Sequence, residues 1–207
     1  MRIGSFHWRE ADEVLADTEE DTLRLDANRR GFTGSRYRIR VPVVFPIPTG
    51  CVEIEDYRAE LPEQPGLHTV VLLQAGAAAL GAFSGGEELR TKSLKKYVVR
   101  GHGKAQATHL STRGKSRYGS RIRLQNARNL LIEVNRKLLE WFTELGPPEH
   151  VFYSCPVRMW PELLSAKEPP PFDKNGPIKI PLDISVPTTS VLLRTYRAME
   201  HGMVEEL

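Results

Sequence analysis

Two rhythms of apolar and polar residues run along this 207-residue chain. The first has a period of two. Residues 37–45 alternate charged and apolar side chains as a half-buried strand does, and Pro42 sets the end of that run at a sheet edge or a bend. Residues 69–76 form a short β-branched and apolar run, the pattern of a central strand. Residues 78–84 read as a second strand, and Gly85-Gly86 supplies the positive φ of a tight hairpin turn. Residues 87–91 return, and residues 94–100 form a further strand. Residues 151–155, and the alternating Ile178, Ile180, Leu182 and Ile184, give two more.

The second rhythm is helical. It is weak over residues 8–25, where acids surround Val14, Leu15, Leu23 and Leu25. It is clearest over residues 121–145, where Ile122, Ala127, Leu130, Leu131, Val134, Leu138, Trp141, Phe142 and Leu145 share one face. Ser120 suits the N-cap, and Gly146-Pro147-Pro148 stops the helix. Residues 158–166 and 188–201 give two shorter helices. Strands alternating with helices after an opening meander predict an α/β fold, a mixed β-sheet with flanking helices. The length suits a single domain over residues 1–207, with residues 1–36 as an acidic helix and loop extension.

Charge changes this picture more than composition does. Residues 90–132 carry 12 Lys/Arg and no Asp or Glu, although the whole chain is only +3. The rest is therefore acidic, with 17 Lys/Arg against 26 Asp/Glu. Segregation of that kind builds a local positive field, whose usual target is a polyphosphate backbone. Gly101, Gly103, Gly114 and Gly119 predict a loop whose backbone can approach a ligand closely. Arg121, Arg123 and Arg128 open the long helix against the preference of its dipole for acids, which is understandable if they face an anion. Tyr97 and Tyr118 are candidates to stack on unpaired bases, or equally to pack in the fold.

At the centre of the basic segment stand Arg100, Gly101, His102, Gly103, Lys104, Ala105 and Gln106. A glutamine amide donates and accepts together, so it can hold a water against an ester carbonyl or a ribose hydroxyl without acting as a base. His102 and His109 flank it, either as an acid/base pair for RNA cleavage or as loop residues contacting phosphate. Other chemistries find no support. Cys51 and Cys155 lie far apart with no zinc spacing and read as free thiols. His7, His68, His150 and His201 show no ligand spacing, and Glu53, Glu55 and Asp56 read as a solvated acidic face. Gly114-Lys115-Ser116 lacks the upstream glycine of a phosphate loop, because position 109 is histidine. No Gly-x-Ser-x-Gly elbow is present. No metal or cofactor is expected. The opening residues lack the apolar core of a signal peptide. The longest apolar run, residues 70–83, is interrupted by Gln74 and two glycines and is shorter than the roughly 20 residues of a span. A soluble cytoplasmic protein without membrane contact is expected.

Several of these pieces occur in an order that resembles the Vms-like release factor family, relatives of the middle domain of eukaryotic and archaeal class-one release factors. They are Gln74 to Phe83, Lys95-Lys96-Tyr97-Val98-Val99-Arg100, Gly103-Lys104-Ala105-Gln106, the arginine-rich helix start at Arg121, and Ile180-Pro181-Leu182 to Pro187-Thr188 before the last helix. The resemblance runs over residues 69–199. It implies an RNase-H-like fold and a role in ribosome quality control. It also implies a loop whose glutamine, here Gln106, reaches the peptidyl-transferase centre and promotes peptidyl-tRNA cleavage, by ester hydrolysis or by cutting near the tRNA 3′ end. Gly103 matches one loop glycine, and Lys104 stands where a second is expected. Arg100, Lys104, Arg113, Lys115, Arg117, Arg121 and Arg123 would then clamp the tRNA acceptor end and large-subunit ribosomal RNA. Two alternatives stay open: a tRNA- or ribosome-binding module without catalysis, and a metal-independent RNase using His102 or His109.

Overall fold

The computed structural model describes residues 3–18, 21–26, 30–96 and 115–207, with only the backbone described for 115–120. The chain divides into two compact units: Met1–Gly66, Ser84–Glu87 and Leu193–Leu207 in the first, Leu67–Phe83 and Glu88–Leu192 in the second.

The first unit begins with β1 (Gly4–His7) and a single 3₁₀ turn at Trp8–Glu10, followed by α1 (Ala11–Ala16). The His7 ring accepts from Arg9 N while Glu10 accepts from His7 N, a reciprocal cap that satisfies backbone donors at the turn's start. The acidic helix expected over residues 8–25 is therefore short. The chain then runs through β2 (Arg24–Asp26), β3 (Gly31–Thr33), β4 (Tyr37–Arg40) and α2 (Ile54–Ala59). Residues 1–36, expected as an appended helix and loop, instead supply three strands of a five-stranded sheet. What closes that sheet is β10 (His201–Glu206), a strand the sequence pattern did not announce. The order is β1-β10-β4-β3-β2, with every pair antiparallel. Phe6, Leu15, Leu23, Phe32, Ile39, Ile54, Tyr57 and Val204 are buried in this unit.

A buried carboxylate shapes the entry to β4. Asp21 accepts from Ser35 N, Ser35 Oγ, Arg36 N and Tyr37 N at 2.7–2.9 Å. Those bonds, the Ser35 hydroxyl foremost, hold its pKa well below the usual carboxylate range. A Cβ on Gly34 would lie 2.4 Å from its Oδ2, so only glycine fits there.

The second unit holds β5 (His68–Gln74), β6 (Ala77–Ser84), β7 (Glu87–Lys95), α3 (Lys115–Leu145), β8 (His150–Ser154), α4 (Met159–Leu164) and β9 (Ile178–Lys179), followed by α5 (Thr189–Met199), which runs on into the first unit. Its sheet has the order β7-β6-β5-β8-β9. β5 pairs antiparallel with β6, while β8 runs parallel to both β5 and β9. A meander whose first strand pairs in parallel with the strand after a long helix is the RNase-H-like arrangement that the resemblance implies. Gly85 and Gly86, with φ of 60° and 86°, form the two-residue turn between β6 and β7.

The core of this unit explains why α3 sits where it does. Leu130, Leu131, Val134, Leu138 and Trp141 pack on Val71 and Leu73 of β5, Ala78, Leu80 and Ala82 of β6, and Val151. The alanines of β6 let the helix approach closely, and each leucine buried there contributes roughly 1.5–3 kcal/mol. Several boundaries differ from the pattern reading. The fold has two five-stranded sheets rather than one. Residues 87–95 form one continuous strand, and residues 97–100 lie outside the described residues. β9 is two residues long, because Pro181 ends its ladder. Helix α3 starts at Lys115, so Ser120 lies inside it and is no N-cap. It ends as expected, at Gly146 with φ 88°. Both cysteines are free. Burial, with Glu162 second, pushes the Cys155 thiol up to about 12, which leaves it protonated and inert.

Candidate nucleic-acid interface

The described residues that lead into the centre of the basic segment form a fixed stem. Leu94 packs on the core, and Lys96 N donates to Gly76 O at 2.8 Å. The Lys96 ammonium lies 2.6 Å from Glu133 Oε1 on α3. Nearby, at the end of β5, Gln74 Nε2 donates to Ile184 O at 3.2 Å. The stem thus stands at the carboxyl-terminal edge of the parallel strands, where open α/β sheets commonly place their sites.

The described chain resumes as α3. At 1.5 Å per residue its 31 residues span about 46 Å. Its first buried side chain among the described residues is Leu130. Arg121, Ile122, Leu124, Gln125 and Arg128 are exposed, so the front of the helix stands clear of the core that holds its rear. The charge divides at the same place. From Glu133 onward cations are matched: Arg136 with Glu168, Lys137 with Glu140, and Arg90 of β7 with Glu144. Ahead of Glu133 the helix has no acid, and among the described residues neither Arg121 nor Arg128 is ion-paired. Unneutralised cations on an exposed helix can bind a chain of phosphates through long-range attraction and direct hydrogen bonds.

Of the residues singled out from sequence, Arg100, Gly101, His102, Gly103, Lys104, Gln106, His109 and Arg113 lie outside the described residues, as does Tyr97. Lys115, Arg117 and Tyr118 fall in the first turns of α3, although residues 115–120 were expected to be loop. Arg121 is exposed and Arg123 half-buried one turn further on. The acidic group at 53–56 is structural. Asp56 accepts from Val52 N and Glu53 N at 3.1 Å, closing a capping box at the start of α2.

Sequence spacing missed two histidine pairs, because sheet register brings them together. His68 on β5 pairs with His150 on β8, ring centroids 5.6 Å apart, and His7 on β1 pairs with His201 on β10 at 5.1 Å. Neither makes a metal centre: among the described residues no group of three or more His, Cys, Asp or Glu could hold an ion. Glu133 was also missed. Its signal was its position as the first acid after the basic run, which only the structure turns into a contact with Lys96.

Comparison with known proteins bears on this interface. No curated protein matches the chain. The solved structure titled Vms1 mitochondrial localization core is similar to it, with a TM-score of 0.52 over 96% of this chain and 84% of that one, at 12% identity. That likeness shows a shared fold. Among the described residues no helix is long and apolar enough to cross a membrane. The family model described as Bacteroidetes VLRF1 release factor matches residues 68–207, which takes in the second unit, its cationic helix and the last strand of the first sheet; the chain belongs to that release factor family.

Proposed function

We propose that this chain is a ribosome-associated peptidyl-tRNA hydrolase that rescues stalled translation in the cytoplasm. Membership of a release factor family gives it a role in translation. The observation that carries the finer reading is the division of charge on α3: behind Glu133, Arg136 and Lys137 are ion-paired, while ahead of it, among the described residues, the exposed Arg121 and Arg128 are not. That half of the helix, with the basic segment before it, suits RNA of the large subunit and the acceptor end of peptidyl-tRNA. Arg100, Lys104, Arg113, Lys115, Arg117, Arg121 and Arg123 hold phosphates. Gln106 enters the peptidyl-transferase centre and orients a water at the ester carbonyl, or the ribose hydroxyl for strand scission. Holding reactants in place in this way supplies several kcal/mol of the barrier. No base of tuned pKa is required, because the ribosomal cavity and the carboxamide together fix the geometry.

A Gln106→Ala variant tests this directly. It is expected to bind stalled large-subunit complexes as the parent does and to release no peptide. Unchanged release by that variant ends the proposal. The second reading, a binding module without catalysis, draws on Lys104 standing at a loop-glycine position. It is distinguished by the parent protein itself, which would bind with a steep salt dependence and turn over nothing. The RNase reading requires tRNA 3′ ends that are cut in the Gln106 variant and intact when His102 and His109 are replaced.

A further inference from the structure

Helix α3, the last turn of α4 and the bend that follows it line an open groove of about 420 Å³ within the second unit. Leu124, Ala127, Leu131 and Ile132 form its α3 wall, with Ala166 opposite, and Arg128 and Lys167 stand one on each side. Glu162 lines the α4 side. The volume falls in the range of small-molecule sites, with an apolar lining and few polar groups. Among the described residues, Arg128, Lys167 and Glu162 are not ion-paired, whereas neighbouring Arg136 and Glu168 are joined to each other.

We propose that this groove is a subsite for one unpaired, amine-bearing base of a single-stranded RNA lying along the front of α3. The inference rests on the RNA-binding reading of the basic segment and adds a ligand class to it. The apolar walls take the faces of the base. The two cations, one on α3 and one in the bend after α4, take the phosphates on either side of it. Glu162 supplies the discrimination. An ionised carboxylate only accepts, so it pairs with the exocyclic amine that cytosine, adenine and guanine carry and repels the O4 carbonyl of uracil, which has none. The neighbouring Ser165 hydroxyl donates to Pro161 O and so is not a competing donor to the base. A duplex has its amine edges already paired and cannot present one here. An apolar peptide helix in the same groove would bury Arg128 and Lys167 without partners, and an acidic one would meet Glu162.

The test measures anisotropy of the full chain with labelled oligocytidine and oligouridine of about 12 nucleotides and with a duplex of the same length, over a range of salt. Oligocytidine is expected to bind about fivefold tighter than oligouridine. Ala127→Phe, which fills the groove, should weaken oligocytidine about tenfold at unchanged salt slope and leave the duplex alone. Glu162→Gln should erase the preference for cytidine. Lys167→Ala should flatten the log K against log salt line by ~0.7. Lys167 is exposed, so this variant keeps the test sound if Ala127→Phe fails to fold. Equal affinity for the two homopolymers, or indifference to both groove variants, overturns the subsite. If replacing Arg113, Lys115 and Arg117 abolishes binding while the groove variants do nothing, the subsite falls and the RNA reading stands. If the parent chain binds no RNA at all, both fall. Loss of ribosome binding by Ala127→Phe at unchanged oligonucleotide affinity would assign the groove to a ribosomal protein and overturn the base-reading proposal.

Discussion

Lys96 and Glu133 are joined at 2.6 Å: one lies inside the acid-free run of residues 90–132 and is the last described residue ahead of Arg100 to Arg113, the other is the first acid after that run. The pair ties the end of β7 to α3. Both side chains are about a third exposed, so solvent screens the contact and its share of global stability is below about 1 kcal/mol. Its effect is local, on where the segment starts. Glu133→Gln is expected to leave the melting temperature within a few degrees, to leave ribosome affinity unchanged, and to lower the single-turnover peptide release rate about tenfold. A matching loss of affinity would show that the pair holds the binding surface rather than the reacting geometry.

The division of charge on α3 gives a second expectation. Arg121→Gln and Arg128→Gln should each reduce the salt slope of RNA binding by ~0.7–0.9, one released counterion apiece. Arg136→Gln should barely move it, because Arg136 is already bound to Glu168. Titration of ribosome binding against potassium chloride separates these cases. Three equal slopes would mean that the two halves of the helix do not differ as contacts.

Asn135 is the polar keystone behind the groove. It is 1% exposed, and its Nδ2 donates to Leu163 O at 3.0 Å and Glu168 O at 2.7 Å. Asn135→Leu would strand the carbonyls of Leu163 in α4 and of Glu168 beyond it, at a cost of about 2–3 kcal/mol, although its Oδ1 has no partner to lose among the described residues. Urea unfolding should show a lower midpoint with unchanged m.

Acid should destabilise the protein well above the carboxylate range. Burial, with His150 second, pulls His68 down to about 3, and burial lowers His150 as well. Unfolded, both titrate near 6.5. Between those values the unfolded chain binds protons that the folded one refuses, so stability is fully present above pH 6.5 and falls as the pH drops. The slope is at most about 1.4 kcal/mol per pH unit for each histidine. Melting between pH 7 and 4 should show this decline, and His68→Gln should flatten it. A flat profile in the parent would contradict the buried neutral ring.

The second unit was largely legible because its pattern and its packing agree. The unbroken run at 69–76 became β5, buried on both faces. The helical face from Leu130 to Leu145 became the wall of the core. The stretch that resembled the release factor family, residues 69–199, nearly coincides with the 68–207 matched by the family model. The first unit was read poorly because its strands are short and find partners far along the chain. β2 and β3 have three residues each, too few for a period to show, and β10 follows α5 after a single residue. The front of α3 was misplaced because Gly119 and Ser120 signal a loop locally, and the helix carries through them. For the candidate site, charge segregation pointed to the stretch that includes the front of α3, where Arg121 and Arg128 are exposed. Neither the Lys96–Glu133 clasp nor the groove was visible, since both depend on which faces of β7, α3 and α4 meet.

The position of β10 has a consequence for biosynthesis. Val204 is paired in register with Gly4 on one side and Ile39 on the other. A nascent chain therefore makes the first and fourth strands of that sheet early and must hold them apart until residues 201–206 have emerged. The second unit has no such dependence and can condense first, since all its strands and its long helix are synthesised before α5 is complete. Until then the gap between β1 and β4 is an unfilled slot with two open edges, the stage at which a newly made molecule is most exposed to strand exchange with its neighbours.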